Sequence, residues 1–555
     1  MMRNLTVPYW LIAALIAFFF VNLGGFLLFD HDEGAFSEAT RGMFERGDFL
    51  TTYLNDRIRF DKPILIYWLQ AASMGVFGTE VWAFRLPSAL AGLGWALAIF
   101  YFCRRYLDQH SAVAAALIAA GALGINMIAH VATADAVLNV ILASTLLTIY
   151  RYSTHPSNAL LYLIYTLMAL GVLTKGPVAV AIPLLVAAIF FLWSGMKDAF
   201  LKAILFFPGW IIFLLIAAPW YIIAYQIHGQ EFIDGFILKH NVNRFNNAME
   251  GHDGGPLFYI VLLPFILAPF GALLLRIVPS LASIRHKQAH QPDLLNRFLW
   301  IWFLVVLVLF SVASTKLPHY ILYGVTPLVV LMARYREWLK SRLFTLLFPS
   351  LFFAVMVAFP LLIPTLIASL TNPIEIAAAE RAAEYINQDF ARIAAVAWAI
   401  AVALMLWKRI SPWFALVLVS AVQTLFVWYV FVPAISEAQQ RPVWEAAQFA
   451  KQLDEPIYTQ SIDMPSFNVY LGHWTERRQV NVGEVGYGRE DRISKIPHYD
   501  VLFQSGPIVI IRRLAEPSGR SDTTGSADVP ATSEAAPISD GTTKNSDTAG
   551  QQHDG

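Results

Sequence analysis

The chain has 555 residues, of which 57% are apolar and only 14% charged, with 39 basic and 39 acidic side chains and no formal net charge. Apolar runs of about 20 residues recur along it, which excludes a soluble globule and indicates an integral membrane protein. The neutral balance argues against a nucleic-acid partner, and the single cysteine, Cys103, excludes an intrachain disulfide and suits a small buried thiol.

The first apolar run, Tyr9 to Phe29, is long enough to cross a hydrocarbon core of roughly 30 Å at ~1.5 Å per residue, and it reads as an uncleaved anchor. An external loop, residues 30–80, follows. It opens on Asp30-His31-Asp32-Glu33, a carboxylate cluster that is costly beside lipid and suits a cavity where chemistry or transport takes place. From Glu33 to Arg46, Ala35, Phe36, Ala39, Met43 and Phe44 recur at helical spacing and predict an amphipathic helix on the membrane surface. Residues Asp48 to Phe60 place β-formers on both sides of Asn55-Asp56, the pattern of a small hairpin. Pro63 then opens a second interfacial helix, Ile64 to Val76.

Further spans are expected at Val81–Phe102, Ala112–Ala132, Ala136–Tyr150, Leu160–Leu173, Pro177–Trp193 and Ile204–Ile227. Beyond them lie Leu257–Leu275, Phe298–Ser314, Pro318–Ala333, Phe344–Leu370, Ile393–Trp407 and Trp413–Val432. The total is about thirteen, and several of these runs are short or Pro-interrupted. Short loops carrying Arg104-Arg105, Arg151, Lys197 with Lys202, Arg285 with Lys287, Arg334 to Arg342, and Lys408-Arg409 all fall on one side. The positive-inside rule makes that side cytoplasmic, so the N-terminus is inside and the C-terminal segment outside.

After about Pro433 the pattern becomes that of a soluble α/β segment. A helix is predicted over Pro442–Leu453, and short strands over Pro456–Gln460, Phe467–Leu471, Asp500–Gln504 and Ile508–Ile511. The expected organisation is a membrane domain over 1–432, an α/β domain over 433–515 and a disordered tail over 516–555, rich in Ser, Thr, Gly and Asp. The fold class is therefore an all-α polytopic membrane protein with interfacial helices and a small C-terminal α/β domain. No phosphate-cradling glycine loop or dinucleotide-binding fingerprint is present.

Polar residues converge on one external face. Asp32 and Glu33 are joined there by Asp61-Lys62, Asp135, Lys175, Lys239-His240, Arg244, His252-Asp253, Lys316, His319 and Tyr320. Taken singly each is an ordinary loop charge; together they suit a site. Acids and cations without a nucleotide signature fit a donor that is itself a lipid phosphate ester. A polyprenyl phosphate leaves as a stable anion, so cations near the phosphate and, for a hydroxyl acceptor, one carboxylate base suffice.

Several blocks resemble the bacterial ArnT-like branch of the protein O-mannosyltransferase superfamily, GT-C membrane glycosyltransferases that use polyprenyl-phosphate sugars. They are Asp32-Glu33-x-x-Phe36-Ser37-Glu38, Gly47-Asp48-Phe49-Leu50 and Arg59-Phe60-Asp61-Lys62-Pro63 with its apolar continuation to Leu69. Thr133-Ala134-Asp135-Ala136, Leu173-Thr174-Lys175-Gly176-Pro177, Lys239-His240-x-x-x-Arg244-Phe245 and Thr315-Lys316-Leu317-Pro318-His319-Tyr320 follow in family order. The resemblance implies a periplasm-facing site in a bacterial inner membrane. It also implies an inverting transfer from an undecaprenyl-phosphate-linked sugar to a lipid acceptor, in the best-known members lipid A.

By the same resemblance Asp32 matches the catalytic aspartate, with capping of the first-loop helix as its alternative role. Asp135 matches a second acidic, catalytic position at the cavity, suited to binding sugar or acceptor, with helix capping as the alternative, and Lys62 the cation on the donor phosphate, with snorkelling to headgroups as the alternative. Lys175, Arg244, Lys316 and Tyr320 are candidate phosphate or lipid contacts, Glu33 another cavity residue. Asp61 and His240 match positions able to bind a zinc-like divalent cation, although two ligands equally describe a plain Asp–His contact. Many aminoarabinose transferases carry Arg-Tyr where this chain has Ala35-Phe36, so aminoarabinose does not follow, and a neutral hexose or another modified sugar fits equally. The competing functions are a protein O-glycosyltransferase and a lipid-linked sugar transporter. The latter is disfavoured because the acids lie at one face and no internal repeat is evident.

Overall fold

Helices form almost all of the membrane part of this computed structural model, which describes residues 6–243, 255, 257–285 and 291–516. Helix lies at every predicted span position, but the lengths differ. Eight helices among the described residues are long and apolar enough to cross a membrane. A bent pair, Gln109–Gly121 and Leu123–Ala129, makes a ninth. Tyr9–Phe20 and Val178–Trp193 are shorter apolar helices. The expected span at Leu257–Leu275 is split into Phe258–Ile266 and Gly271–Ile277.

The bend in the pair is satisfied from within the protein, as irregular backbone at membrane depth requires. Asn126 Nδ2 donates to Phe18 O and Ala120 O at 2.9 and 3.0 Å, and Leu123 N donates to Ala268 O. The alanine-rich first half is buried from Ser111 to Gly121 except at Val113, because small side chains let neighbouring helices approach closely.

The first external loop folds as its sequence patterns indicate, with one difference in setting. Its helix runs from Glu33 to Arg46 and stops at Gly47, whose φ of 67° permits an N–H bond back to Met43 O. Strands β1 (Tyr53–Leu54) and β2 (Arg57–Ile58) form the hairpin about Asn55, at φ 57°. The second helix is Leu65–Phe77. The first-loop helix is not a surface helix, however: every residue from Glu33 to Met43 is buried. One flank packs on the second helix and the other on Ser466–Leu471 of the C-terminal segment. Its weak amphipathic pattern is that of an element covered on more than one side.

Near the C-terminus, β3 (Ile457–Gln460), β4 (Val485–Arg489), β5 (Tyr499–Ser505) and β6 (Ile508–Arg513) form a sheet in the order β3-β4-β6-β5. The β3–β4 pair is parallel and the others antiparallel. The expected strand at Phe467–Leu471 is a helix, Ser466–Leu471. Its apolar run packs as a helix face, with Phe467 stacked on Tyr487 at 3.7 Å between ring centroids. Strand β4 carries no strand pattern in the sequence because Gly486 and Gly488 interrupt its apolar residues; a Cβ on Gly488 would come within 2.6 Å of Gln460 O. The helical column from Pro412 to Ala450 passes through residue 433 without a break. Residues to Leu514 cluster as one compact unit. The tail from 517 lies outside the described residues.

Candidate active site

The carboxylate cluster of the first loop divides into three roles. Glu33 is 1% exposed and forms a bidentate ion pair with Arg85, at 2.8 and 2.9 Å. Its oxygens also accept from Ala132 N and Phe29 N. Arg85 in turn donates to the carbonyls of Leu23, Phe26 and Leu27, and lies 3.6 Å over the Phe26 ring. Glu33 is therefore no cavity residue; with every oxygen engaged, it fastens the loop to the spans.

Asp30 accepts from Ser466 N and Oγ at 2.8 and 2.6 Å. Burial, only partly offset by these two bonds, pushes its carboxyl up to about 6.

Asp32, between them, is exposed and makes no side-chain cap to the helix it precedes. Among the described residues nothing pairs with its carboxylate. Surrounding protein and the Asp135 charge raise its carboxyl above the ordinary value, against the pull of Lys62, Arg59 and Lys175. An unpaired, partly desolvated carboxylate beside cations is the arrangement a general base needs.

Two clusters flank it. In the first, Asp61 bridges Lys62 Nζ at 2.5 Å and Arg59 Nη2 at 2.9 Å. Arg59 stacks 4.9 Å over the Phe36 ring, and its Nη1 is buried without a partner. Burial holds the Lys62 ammonium below its ordinary value, with Asp61 opposing the shift. Thr51, Arg59, Lys62, His228 and Phe232 line a narrow recess.

The second cluster forms where two antiparallel spans end. Asp135 is the first residue of the helix Asp135–Thr154, and Lys175 the last of Asn158–Lys175. Each charge complements its helix dipole. They pair at 2.5 Å, with His319 Nε2 3.6 Å from the same Asp135 oxygen and Tyr323 OH donating to it at 3.4 Å. Lys175 also lies 5.5 Å from the Tyr320 ring centre.

The structure thus groups Asp32, Asp61, Lys62, Asp135, Lys175, His319 and Tyr320, and adds Arg59 and Tyr323. Arg59 lies within a quoted sequence block, but nothing in its spacing marks it as a site residue. Tyr323 falls one turn beyond Tyr320 and was legible only as apolar span. Lys316 is 9% exposed and donates to Ala313 O at 2.9 Å, so its ammonium satisfies its own chain turn. Arg244 and the His240 side chain lie outside the described residues, as do His252 and Asp253.

A family model described as dolichyl-phosphate-mannose-protein mannosyltransferase matches residues 61–223. An uncharacterized protein of Aquifex aeolicus is 31% identical over 326 residues, 58% of this chain and 72% of that protein. This chain belongs to the ArnT-like branch of the mannosyltransferase family.

An undecaprenyl phosphate-alpha-4-amino-4-deoxy-L-arabinose arabinosyl transferase of Shewanella sediminis is 27% identical to the ArnT-like chain, over 58% of this chain and 59% of that enzyme. The alignment thus spans less than two thirds of that relative. The crystal structure of ArnT from Cupriavidus metallidurans bound to undecaprenyl phosphate superposes with a TM-score of 0.74. It covers 90% of this chain and 97% of that one at 20% identity, which establishes the shared fold. With its membrane helices, the ArnT-like chain is a multi-pass membrane protein.

Proposed function

We propose that this protein transfers a sugar, with inversion, from an undecaprenyl-phosphate-linked donor to a lipid acceptor of the lipid A kind at a periplasm-facing cavity. The observation that carries the reading is the free Asp32 carboxylate between two clusters of cations. Membership of the ArnT-like branch and the arabinosyl transferases among its relatives support the donor class.

In this mechanism the acceptor oxygen attacks the anomeric carbon as the bond from that carbon to the phosphate oxygen breaks. Asp32 takes the proton of a hydroxyl acceptor, or orients one that is already anionic. Lys62 and Arg59, the latter with one N–H unspent, balance the charge of the departing polyprenyl phosphate. Asp135, whose Oδ1 is engaged by Lys175 and Tyr323, holds Lys175 beside the cavity. Lys175 and Tyr320 form the opposite wall, within reach of the sugar or the acceptor headgroup.

A divalent cation on Asp61 would have to displace a basic side chain, because each Asp61 oxygen already faces one, and the His240 side chain lies outside the described residues. No step is assigned to a metal.

The test is mass spectrometry of lipid A and total glycolipids from cells with the gene, without it, and with Asp32→Asn. Loss of one sugar-sized mass in both defective strains supports the reading, and the increment identifies the sugar. Unchanged lipids refute the lipid acceptor, and a change confined to proteins would favour a peptide hydroxyl instead.

A further inference from the structure

We infer that the helix Ser466–Leu471 of the C-terminal segment is a positioning element of the active site, which aims Asp32 by holding the turn around it. The inference rests on Asp32 being the base.

The turn from Phe29 to Gly34 closes through Gly34 N donating to Phe29 O at 3.0 Å, and it places His31 in the left-handed region at φ 68°. A non-glycine residue held there needs its neighbours fixed. Glu33 is fixed from the membrane side by Arg85. Asp30 is fixed from the other side by Ser466, through both the backbone N–H and the hydroxyl. Asp32 lies between these anchors with its carboxylate free, so its direction is set by the two fixed residues on either side of it.

Four further contacts place this helix and Gly472, which ends it, hard against the loop. A Cβ on Gly34 would come 2.5 Å from Asp30 Oδ1 and 2.9 Å from Ser466 N, so the close approach requires glycine there. Leu28 N donates to Tyr470 OH at 2.7 Å, just upstream of the turn. Downstream, Asn468 Nδ2 donates to Asn55 Oδ1 at 2.7 Å, and Arg41, paired with Glu38, donates to Gly472 O at 3.0 Å. The C-terminal segment therefore grips the loop on both sides of Asp32. Asp30 and Ser466 are positioning residues, acting on the reaction through Asp32.

The test uses the full chain in lipid nanodiscs, with transfer kinetics and undecaprenyl phosphate binding followed by tryptophan fluorescence. Ser466→Ala and Asp30→Ala are expected to lower kcat roughly 10- to 100-fold, the scale of a misplaced catalytic group. Donor KM and undecaprenyl phosphate binding should stay within about twofold of wild type. Ser466→Thr and Asp30→Asn, which keep an acceptor–hydroxyl contact, should recover most of kcat. Unchanged kcat in Ser466→Ala, a parallel loss of binding and kcat, or no rescue by the conservative pair would each overturn the inference. If Asp30→Ala does not fold, Ser466→Ala, which removes one oxygen, decides alone. Asp32→Asn is run beside them, all with total membrane lipid of the wild-type host as donor and lipid from the gene-deleted strain as acceptor: an inactive wild type refutes the transferase reading, whereas an Asp32→Asn protein as active as wild type refutes the base. Full activity of Ser466→Ala with a dead Asp32→Asn refutes only the positioning role.

Discussion

Lys175 sets its ammonium 2.5 Å from Asp135, joining the last residue of one span to the first residue of its antiparallel neighbour. Asp32 across the cavity has no such partner. Of these two acids, one is therefore committed to structure and the other is available for proton transfer.

From that difference, Asp32→Asn should lower kcat by about 10²- to 10⁴-fold, the usual worth of general base catalysis, while the protein stays folded. Asp135→Asn should act through Lys175 instead, leaving a partly buried ammonium without its counter-charge. It should cost roughly 3 kcal/mol or less of stability, since both side chains keep some contact with water. Thermal unfolding in detergent, read beside the transfer rate, separates the two.

Lys62→Met should raise donor KM about 10-fold or more with a smaller effect on kcat, because it removes a charge that binds the phosphate before and during reaction. Initial rates at varied donor and saturating acceptor provide the check. A change in acceptor KM alone would assign Lys62 elsewhere.

Arg85→Met should be among the most damaging changes in the chain. It strands the Glu33 carboxylate in a site that is 1% exposed and frees three loop carbonyls, at a cost of about 3–5 kcal/mol. The measurable outcome is a sharp loss of folded protein in size-exclusion profiles at growth temperature.

Asp30 brings a pH dependence with a defined sign. Its carboxyl titrates near 6 in the folded chain, raised by burial, against 3.8 ordinarily. Between these values the folded state holds a proton that the unfolded state has released. The contribution is thus complete below about pH 4 and is lost as pH rises through 6, by up to about 3 kcal/mol. Stability of wild type relative to Asp30→Asn should fall from pH 4 to 7 and level off above. A flat difference would place the titration elsewhere.

Chelation should leave transfer unchanged, because Lys62 and Arg59 already occupy the Asp61 oxygens. Loss with EDTA and recovery with zinc, but not magnesium, would instead assign a cation to Asp61 and His240.

Much of this was legible in the linear sequence because membrane insertion leaves a strong local signal. Apolar runs, loop cations, the first-loop helix to within a residue, the Asn55 hairpin and the family blocks all depend on nearby residues or on composition. The grouping of Asp32, Lys62, Asp135 and Lys175 at one face followed from counting spans. What each does there did not follow, because a carboxylate's role depends on its partners. Asp32 and Glu33 are adjacent and chemically alike, yet one faces the cavity and the other is consumed by Arg85, 52 residues away.

Membrane class, the order of the helices and the family can be read along the chain, since they rest on hydropathy and short motifs. Which charges are spent on one another depends on contacts between distant segments. Only the tertiary structure shows that Phe467–Leu471 is helical and that its helix reaches back more than 400 residues to hold Asp30. Helix or strand in so short an apolar run is settled by what it packs against, and packing between distant segments leaves no periodic trace in either one.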